Sequence, residues 1–288
     1  MSQNIADLIP ATPSGFDLRQ LIKIIVYSLL LVNFGLYFIE DVQISYHTLR
    51  HGGTFLDYSA AFAVSLDTFA WLTLLALFEL ETYLLSEEAF TPRRLRAMHG
   101  IRILCYLFLF HTLFAYTTAG KDLIGLTPMQ ETDSLCQLVD RELSFGENLE
   151  YTLLDPQTCT KLSTATEFYL IENGSVVTDP RGLQIERELV WLDLVEAVTW
   201  LVILLCIEVI VRLQDRGKTR GITIRTATGI KFSLYLLLWG TAAYWTYRGH
   251  YMYAWDEALW IFGFFAIEMN ISDWKEEIRS ADANNARK

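Results

Sequence analysis

Long apolar runs separated by short polar stretches dominate the pattern of this 288-residue chain. Six runs are about 20 residues long or longer, and a helix of that length crosses a lipid bilayer while satisfying its own backbone hydrogen bonds. The runs occupy residues 20–40, 59–85, 98–118, 189–211, 228–247 and 253–272. The pattern therefore predicts an all-α polytopic membrane protein with six transmembrane helices.

The even-numbered runs share one motif, which consists of an acidic residue, three residues, Trp, seven residues and Glu. The ends of its three copies are Asp67 and Glu79, Glu196 and Glu208, and Asp256 and Glu268. The odd-numbered runs also align without gaps, and each carries a base near one end, namely Lys23, Arg102 or Lys231. These matches predict three parallel two-helix hairpins related by a pseudo-threefold axis along the membrane normal.

Helical rise matches the two halves of a hairpin in depth. Placing Lys23 level with Glu79 predicts an ion pair, puts Asn33 opposite the N–H of Trp71, and brings Tyr37 near Asp67. Two interpretations of the acidic stripes remain open. The carboxylates either serve as structural partners within each hairpin or converge on the pseudo-threefold axis as a cation-binding site.

Polar residues that the repeat does not match are further functional candidates, because an ionisable group inside a membrane is costly. They are Glu81, Asp193 and His111. Three histidines in short loops, His47, His51 and His250, could supply metal ligands, or they could be unrelated loop residues. The sequence predicts no cofactor, although metal or haem binding stays open. It also contains no phosphate-binding glycine loop and no hydrolase or zinc-protease motif.

The distribution of bases predicts the topology, because Lys and Arg concentrate in cytoplasmic loops. The short loops after the second and fourth runs hold Arg93, Arg94, Arg96, Arg212, Arg216, Lys218, Arg220 and Arg225, whereas the short loops on the opposite side hold only Arg50 and Arg248. Both termini are therefore expected in the cytoplasm, with residues 119–188 outside. That segment has thirteen acidic and five basic residues between positions 118 and 188. Its Cys136 and Cys159 predict a disulfide, which together with the topology suggests a bacterial inner membrane.

The predicted organisation has five parts. Residues 1–18 form a cytoplasmic tail, 19–118 hold spans one to three, and 119–188 form an extracytoplasmic, disulfide-containing acidic insertion of α+β type. Residues 189–272 hold spans four to six, and 273–288 form a second cytoplasmic tail. Strand-like alternation around Asn173–Gly174 predicts a β-hairpin within the insertion.

Three classes of function fit this organisation. The repeated acidic and aromatic stripes favour a cation channel or transport protein, with the lipid bilayer and cations as partners. A non-catalytic accessory, assembly or sensor subunit would instead present the outer insertion to a protein partner. A membrane redox or haem protein is the third class, and its basis is the histidines and cysteines alone. Nothing in the sequence indicates nucleic-acid binding, and no enzymatic motif is evident.

Overall fold

The computed structural model describes residues 18–80, 91–215 and 221–265. The chain is mostly helical. Its helices are α1 (Leu18–Thr48), α2 (Phe55–Ala61), α3 (Ala63–Glu79), α4 (Pro92–Asp122), α5 (Cys159–Leu162), α6 (Pro180–Asp215), α7 (Ile222–Arg248) and α8 (251–265, where the described part ends). The long helices pack side by side, with α3 on α1 and α4, and α6 on α4 and α7.

Three helices are long and apolar enough to cross a membrane, namely α1 over Leu21–Thr48, α4, and α6 over Pro180–Ile210. The pair α2 and α3 would add a fourth span if it is counted as one. The outward surfaces of the helices carry large apolar side chains, with Leu31 62%, Phe110 71% and Phe232 64% exposed. Exposed apolar surface on this scale fits contact with lipid rather than water.

The second apolar run is not one straight helix. The chain bends by 67° at Phe62, between α2 and α3. Thr54 caps α2, because its side chain accepts a hydrogen bond from the backbone of Asp57 while the Asp57 carboxylate accepts one from the backbone of Thr54. This reciprocal cap starts a separate short helix ahead of the expected start of the span at residue 59. The first helix also continues past its predicted end, through residues 41–48.

Between α4 and α6 lies a small mixed sheet, which with its connections forms the sheet unit (residues 123–179). Its strands are β1 (Ser144–Glu147), β2 (Glu150–Leu153), β3 (Tyr169–Ile171) and β4 (Val176–Thr178), in the order β2-β1-β4-β3. Strands β3 and β4 form the predicted hairpin, while β1 pairs with β4 in parallel. Leu135–Arg141 is a 3-10 helix, and the predicted Cys136–Cys159 disulfide joins it to α5.

The sheet unit is held against one end of the helices, hereafter the sheet end. His47 of α1 stacks on Tyr151 of β2 and hydrogen-bonds the hydroxyl of Ser144 through Nδ1. Asn148, in the turn between β1 and β2, donates to the carbonyl of Arg248 at the end of α7. The unit therefore covers the helix ends rather than extending away from them.

Candidate functional site

A cavity of about 90 Å³ lies among α3, α6 and α8. Sixteen side chains line it, and fifteen of them belong to five triplets of aligned repeat positions. The triplets are Val64, Asp193 and Tyr253; Asp67, Glu196 and Asp256; Thr68, Ala197 and Glu257; Trp71, Trp200 and Trp260; and, from α1, α4 and α7, Tyr37, Tyr116 and Trp245. The even-helix stripes therefore face a shared centre.

The three repeated tryptophans close the cavity on the side away from the sheet end. The ring of Trp71 lies 6.5 Å from that of Trp200 and 6.4 Å from that of Trp260. Phe264, the sixteenth lining residue, packs against all three, at 5.0 Å from Trp200. Beyond this aromatic floor the helices pack as a dry core, in which Leu30, Ile203 and Leu238 have no exposed surface.

Hydrogen-bond donors hold each repeated acid. Asn33 of α1 donates to Asp256 at 2.7 Å, and the Tyr37 hydroxyl bonds the same carboxylate. The indole N–H of Trp245 on α7 donates to Glu196 at 2.9 Å. These contacts satisfy the carboxylate oxygens at positions where a buried acid would otherwise be costly.

The third repeated acid follows the same arrangement, because Asp67 hydrogen-bonds Thr112 of α4 and its own neighbour Trp71. The prediction that Asn33 accepts the Trp71 N–H is therefore wrong. The outer polar groups of α1, α4 and α7 bond the acids of α8, α3 and α6 respectively. Each of those acids belongs to a neighbouring predicted hairpin.

Two acids in the cavity lie outside the repeated column. Asp193 faces Glu196 and Glu186 of its own helix. Glu257 is only 7% exposed, and its Oε2 accepts the indole N–H of Trp200 at 3.3 Å. Its Oε1 has no hydrogen-bond partner among the described residues. A buried carboxylate oxygen without a partner marks a place where a proton or a cation would be stabilised.

The charge balance of the cavity is one-sided. Five carboxyl groups line it, those of Asp67, Asp193, Glu196, Asp256 and Glu257. No Lys, Arg or His is among the described residues that line it. Carboxylates crowded into a low-dielectric space repel one another, so protons or a cation must offset part of their charge.

The far end of the bundle holds the predicted ion pair of the first hairpin. Lys23 Nζ lies 3.0 Å from Glu79 Oε1, and the Tyr27 hydroxyl donates to the same oxygen at 2.7 Å. Glu208 bonds Arg212, one turn further along α6. Glu268, the expected partner of Lys231, lies outside the described residues, as does Glu81.

The loop histidines do not form a shared metal site. His47 bonds Ser144, and His51 bonds Ser175, whose backbone carbonyl accepts a hydrogen bond from the Ser144 N–H. His250 packs between Trp245 and Tyr253, and burial lowers its pKa. No group of three or more His, Cys, Asp or Glu side chains within the described ranges is arranged to hold a metal ion.

His111, the remaining unmatched candidate, lies on α4 and does not line the cavity, although its buried Nε2 lacks a partner in the described part of the chain. Glu257 is the cavity residue that the repeat comparison missed. Its signal was present in the sequence, because the acid at the start of the third motif is followed directly by a second acid, whereas Thr68 and Ala197 occupy the equivalent positions.

Comparison with known proteins adds nothing to this geometry, since no protein-family model, curated protein or solved structure matches the chain.

Proposed function

We propose that this protein is a six-span integral membrane protein that binds a cation in its central cavity and carries it across the bilayer. The observation that carries the proposal is the convergence of five carboxyl groups with no base among the described lining residues. Intramembrane acids that face a bundle interior are characteristic of ion pathways. The cavity is too small for a drug-sized ligand, but it has room for a few water molecules or a small cation beside its carboxyl groups.

The pattern of hydrogen bonds supports three related hairpins within the six spans. Asn33, Thr112 and Thr241 occupy one aligned column of α1, α4 and α7, and each bonds the repeated acid of the next helix around the cavity. One contact pattern used three times indicates a pseudo-threefold arrangement about the cavity. On this reading α7 and α8 are the fifth and sixth spans, and α2 with α3 is the second.

The proposed orientation puts the sheet end on the extracytoplasmic side of a bacterial inner membrane. The bases in the first turns of α4, and those from the end of α6 to the start of α7, favour a cytoplasmic far end. The Cys136–Cys159 disulfide supports an oxidising environment for the sheet unit. The acidic surplus of that unit would then raise the local concentration of cations at the entrance.

The test compares Glu257→Gln with wild type, using Glu167→Gln as the matched control because Glu167 is an exposed acid of the sheet unit. In proteoliposomes, proton, Na⁺ and K⁺ fluxes are measured separately. We expect Glu257→Gln to abolish the flux that wild type shows and to raise thermal stability in cation-free buffer by about 1 kcal/mol, because it removes a buried charge. Unchanged flux in Glu257→Gln would contradict the proposal.

One observation favours a second candidate, a cation sensor. An apolar core lies between the aromatic floor and the Lys23–Glu79 pair at the far end, and the sheet unit covers the opposite end. A sensor would bind the cation without passing it on. It would show cation-dependent thermal stabilisation of wild type, lost in Glu257→Gln, together with no flux of any of the three cations.

A further inference from the structure

We propose that the cation is the proton, and that it reaches the cavity from the sheet end along one face of α6, through Glu186 and Asp193. This inference rests on the proposed function and names the ion that the site takes. It concerns two acids of α6: Asp193, which has no acidic counterpart in the other repeats, where Val64 and Tyr253 stand, and Glu186, which aligns with Asp57 of the first repeat.

The geometry of α6 places the two acids on one line. Asp193 follows Glu186 by seven positions. This interval turns the helix by about 20° less than two full turns, and it advances along the helix axis by about 10 Å. Asp193 lines the cavity, and Glu196 follows about 5 Å deeper. Acidic groups therefore recur along the helix from the edge of the sheet unit down to the cavity.

Glu186 is the acid of this series on α6 that lies nearest the sheet unit. Its side chain is only 5% exposed, and its Oε1 has no hydrogen-bond partner within the described residues. The backbone N–H groups of Asn148 and Leu149 bond the carboxylate from the turn between β1 and β2. The charged and titratable groups that face it from the sheet unit are Glu172 and Tyr151. A buried acid with one free oxygen and no facing base is suited to accept a proton.

The interval between Glu186 and the cavity also contains groups that can exchange protons. Tyr151 lies within electrostatic range of Glu186, Glu40 and Tyr253. Glu40 of α1 bonds the hydroxyl of Tyr253, and its Oε2 is a second buried oxygen without a described partner. Tyr253 and Tyr116 of α4 both line the cavity, and both hydroxyls lie within electrostatic range of Asp193. Carboxyl and phenol groups therefore continue from the sheet unit into the cavity.

A proton fits this arrangement better than a metal cation. A metal ion needs several ligands converging on one point, and the described acids and histidines form no such group. A relay needs only successive neighbours. Each step moves one proton from a carboxylic O–H, or a phenol acting as a bridge, to the next carboxylate oxygen, so charge moves inward without any change of oxidation state.

The test uses full-length protein in proteoliposomes with a pH-sensitive dye inside and the potential held at zero by K⁺ and an ionophore. We expect Glu186→Gln and Asp193→Asn each to reduce proton flux by about tenfold or more, the scale expected when a proton-transfer step loses its acid. Glu167→Gln should match wild type. Glu186→Asp, which keeps the acid, should restore most of the flux and separates a proton role from a folding defect.

A second measurement does not depend on transport. Infrared titration of the purified protein follows protonated carboxyl groups, and both neutral variants should lose part of the titrating band. Wild-type proton flux in Glu186→Gln and Asp193→Asn, with flux lost in Glu257→Gln, would overturn the route but not the proposed function. Flux of Na⁺ or K⁺ without protons would overturn the identity of the ion. Failure of the proposed function itself would appear as no flux of any of the three cations in wild type.

Discussion

At the scale of residues, the acids that line the cavity differ in whether all their carboxylate oxygens have hydrogen-bond partners. Asp67, Glu196 and Asp256 each receive donors from a neighbouring helix, and such contacts fix side chains in place. Glu257 keeps an oxygen without a described partner. Hydrogen-bonded buried acids contribute to a unique packing, whereas an unsatisfied one is retained at a cost. The acids that the repeat does not match are therefore the stronger candidates for a functional role.

The ion pair at the far end provides a prediction about stability. Lys23 and Glu79 are mostly buried, with side-chain exposures of 13% and 18%. Lys23→Met should destabilise the protein by roughly 3 kcal/mol, because it leaves the Glu79 carboxylate without its cation. The double variant with Glu79→Gln should recover much of that loss. Thermal unfolding in detergent measures these two and Glu79→Gln alone, and a loss in the double variant equal to the sum of the two single losses would show that the pair contributes no coupling.

How far single contacts can be predicted depends on how near the partners lie along the chain. The Lys23–Glu79 pair follows from helical rise within one hairpin, because the short connection fixes the relative depth of the two helices. The bond from Asn33 to Asp256 joins residues 223 positions apart. Its partner depends on how the three helix pairs rotate against one another, which neither periodicity nor hydropathy specifies.

At the scale of elements, the start of α6 is tightly packed against the sheet. A Cβ added at Gly182 would lie 2.1 Å from the Thr178 hydroxyl oxygen and 3.2 Å from the backbone carbonyl oxygen of Gly146. Backbone cannot move away as a flexible side chain could. The absence of a side chain at this position thus allows α6 to run directly out of β4, which sets the height of Glu186 beneath the sheet.

This packing predicts different effects for two glycine substitutions. Gly182→Ala should destabilise the protein by about 2 kcal/mol, because the helix or the strand must shift. Gly229→Ala on α7 is the matched control, since a Cβ there meets nothing within 4 Å and alanine favours the helix by about 1 kcal/mol. Chemical denaturation in detergent compares the two. A neutral Gly182→Ala would mean that the contact relaxes without cost.

The sequence predicted which segments are helices or strands more successfully than it predicted where a helix bends or breaks. Within the described residues the apolar runs correspond to helices, and Asn173–Gly174 does join two antiparallel strands. The 67° bend at Phe62 was not predicted, because no proline or glycine marks it and the residues on both sides are apolar. The signal that could have revealed it is the cap formed by Thr54 and Asp57, which starts a helix before the apolar run.

At the scale of the whole molecule, the sheet unit is a covalently closed cap on the helices. Cys136 and Cys159, 23 positions apart, join its 3-10 helix to α5, and its small core centres on Leu135, Leu138 and Phe168. A core of this size gains much of its stability from such a cross-link. The helices have a separate core and do not depend on the bond.

Loss of the disulfide should therefore affect the cap alone. The double variant Cys136→Ser with Cys159→Ser should destabilise the sheet unit by about 3 kcal/mol, because the unfolded segment regains chain entropy. Limited proteolysis should then cut between residues 123 and 179 while the helices stay protected. Cys105→Ala, which removes a buried free thiol of α4, is the control and should leave the cleavage pattern unchanged. Equal protection in all variants would contradict the prediction.

The dry core beyond the aromatic floor has a consequence for the response to membrane voltage. A transmembrane potential falls mainly across material of low dielectric constant, and here that material is the half of the bundle around Leu30, Ile203 and Leu238. An ion moving from the sheet end into the cavity would cross little of the field. Its onward step would cross most of it, with a work of roughly 2.3 kcal/mol per unit charge at 100 mV. Occupancy of the cavity would be nearly independent of voltage, and the onward movement strongly dependent on it.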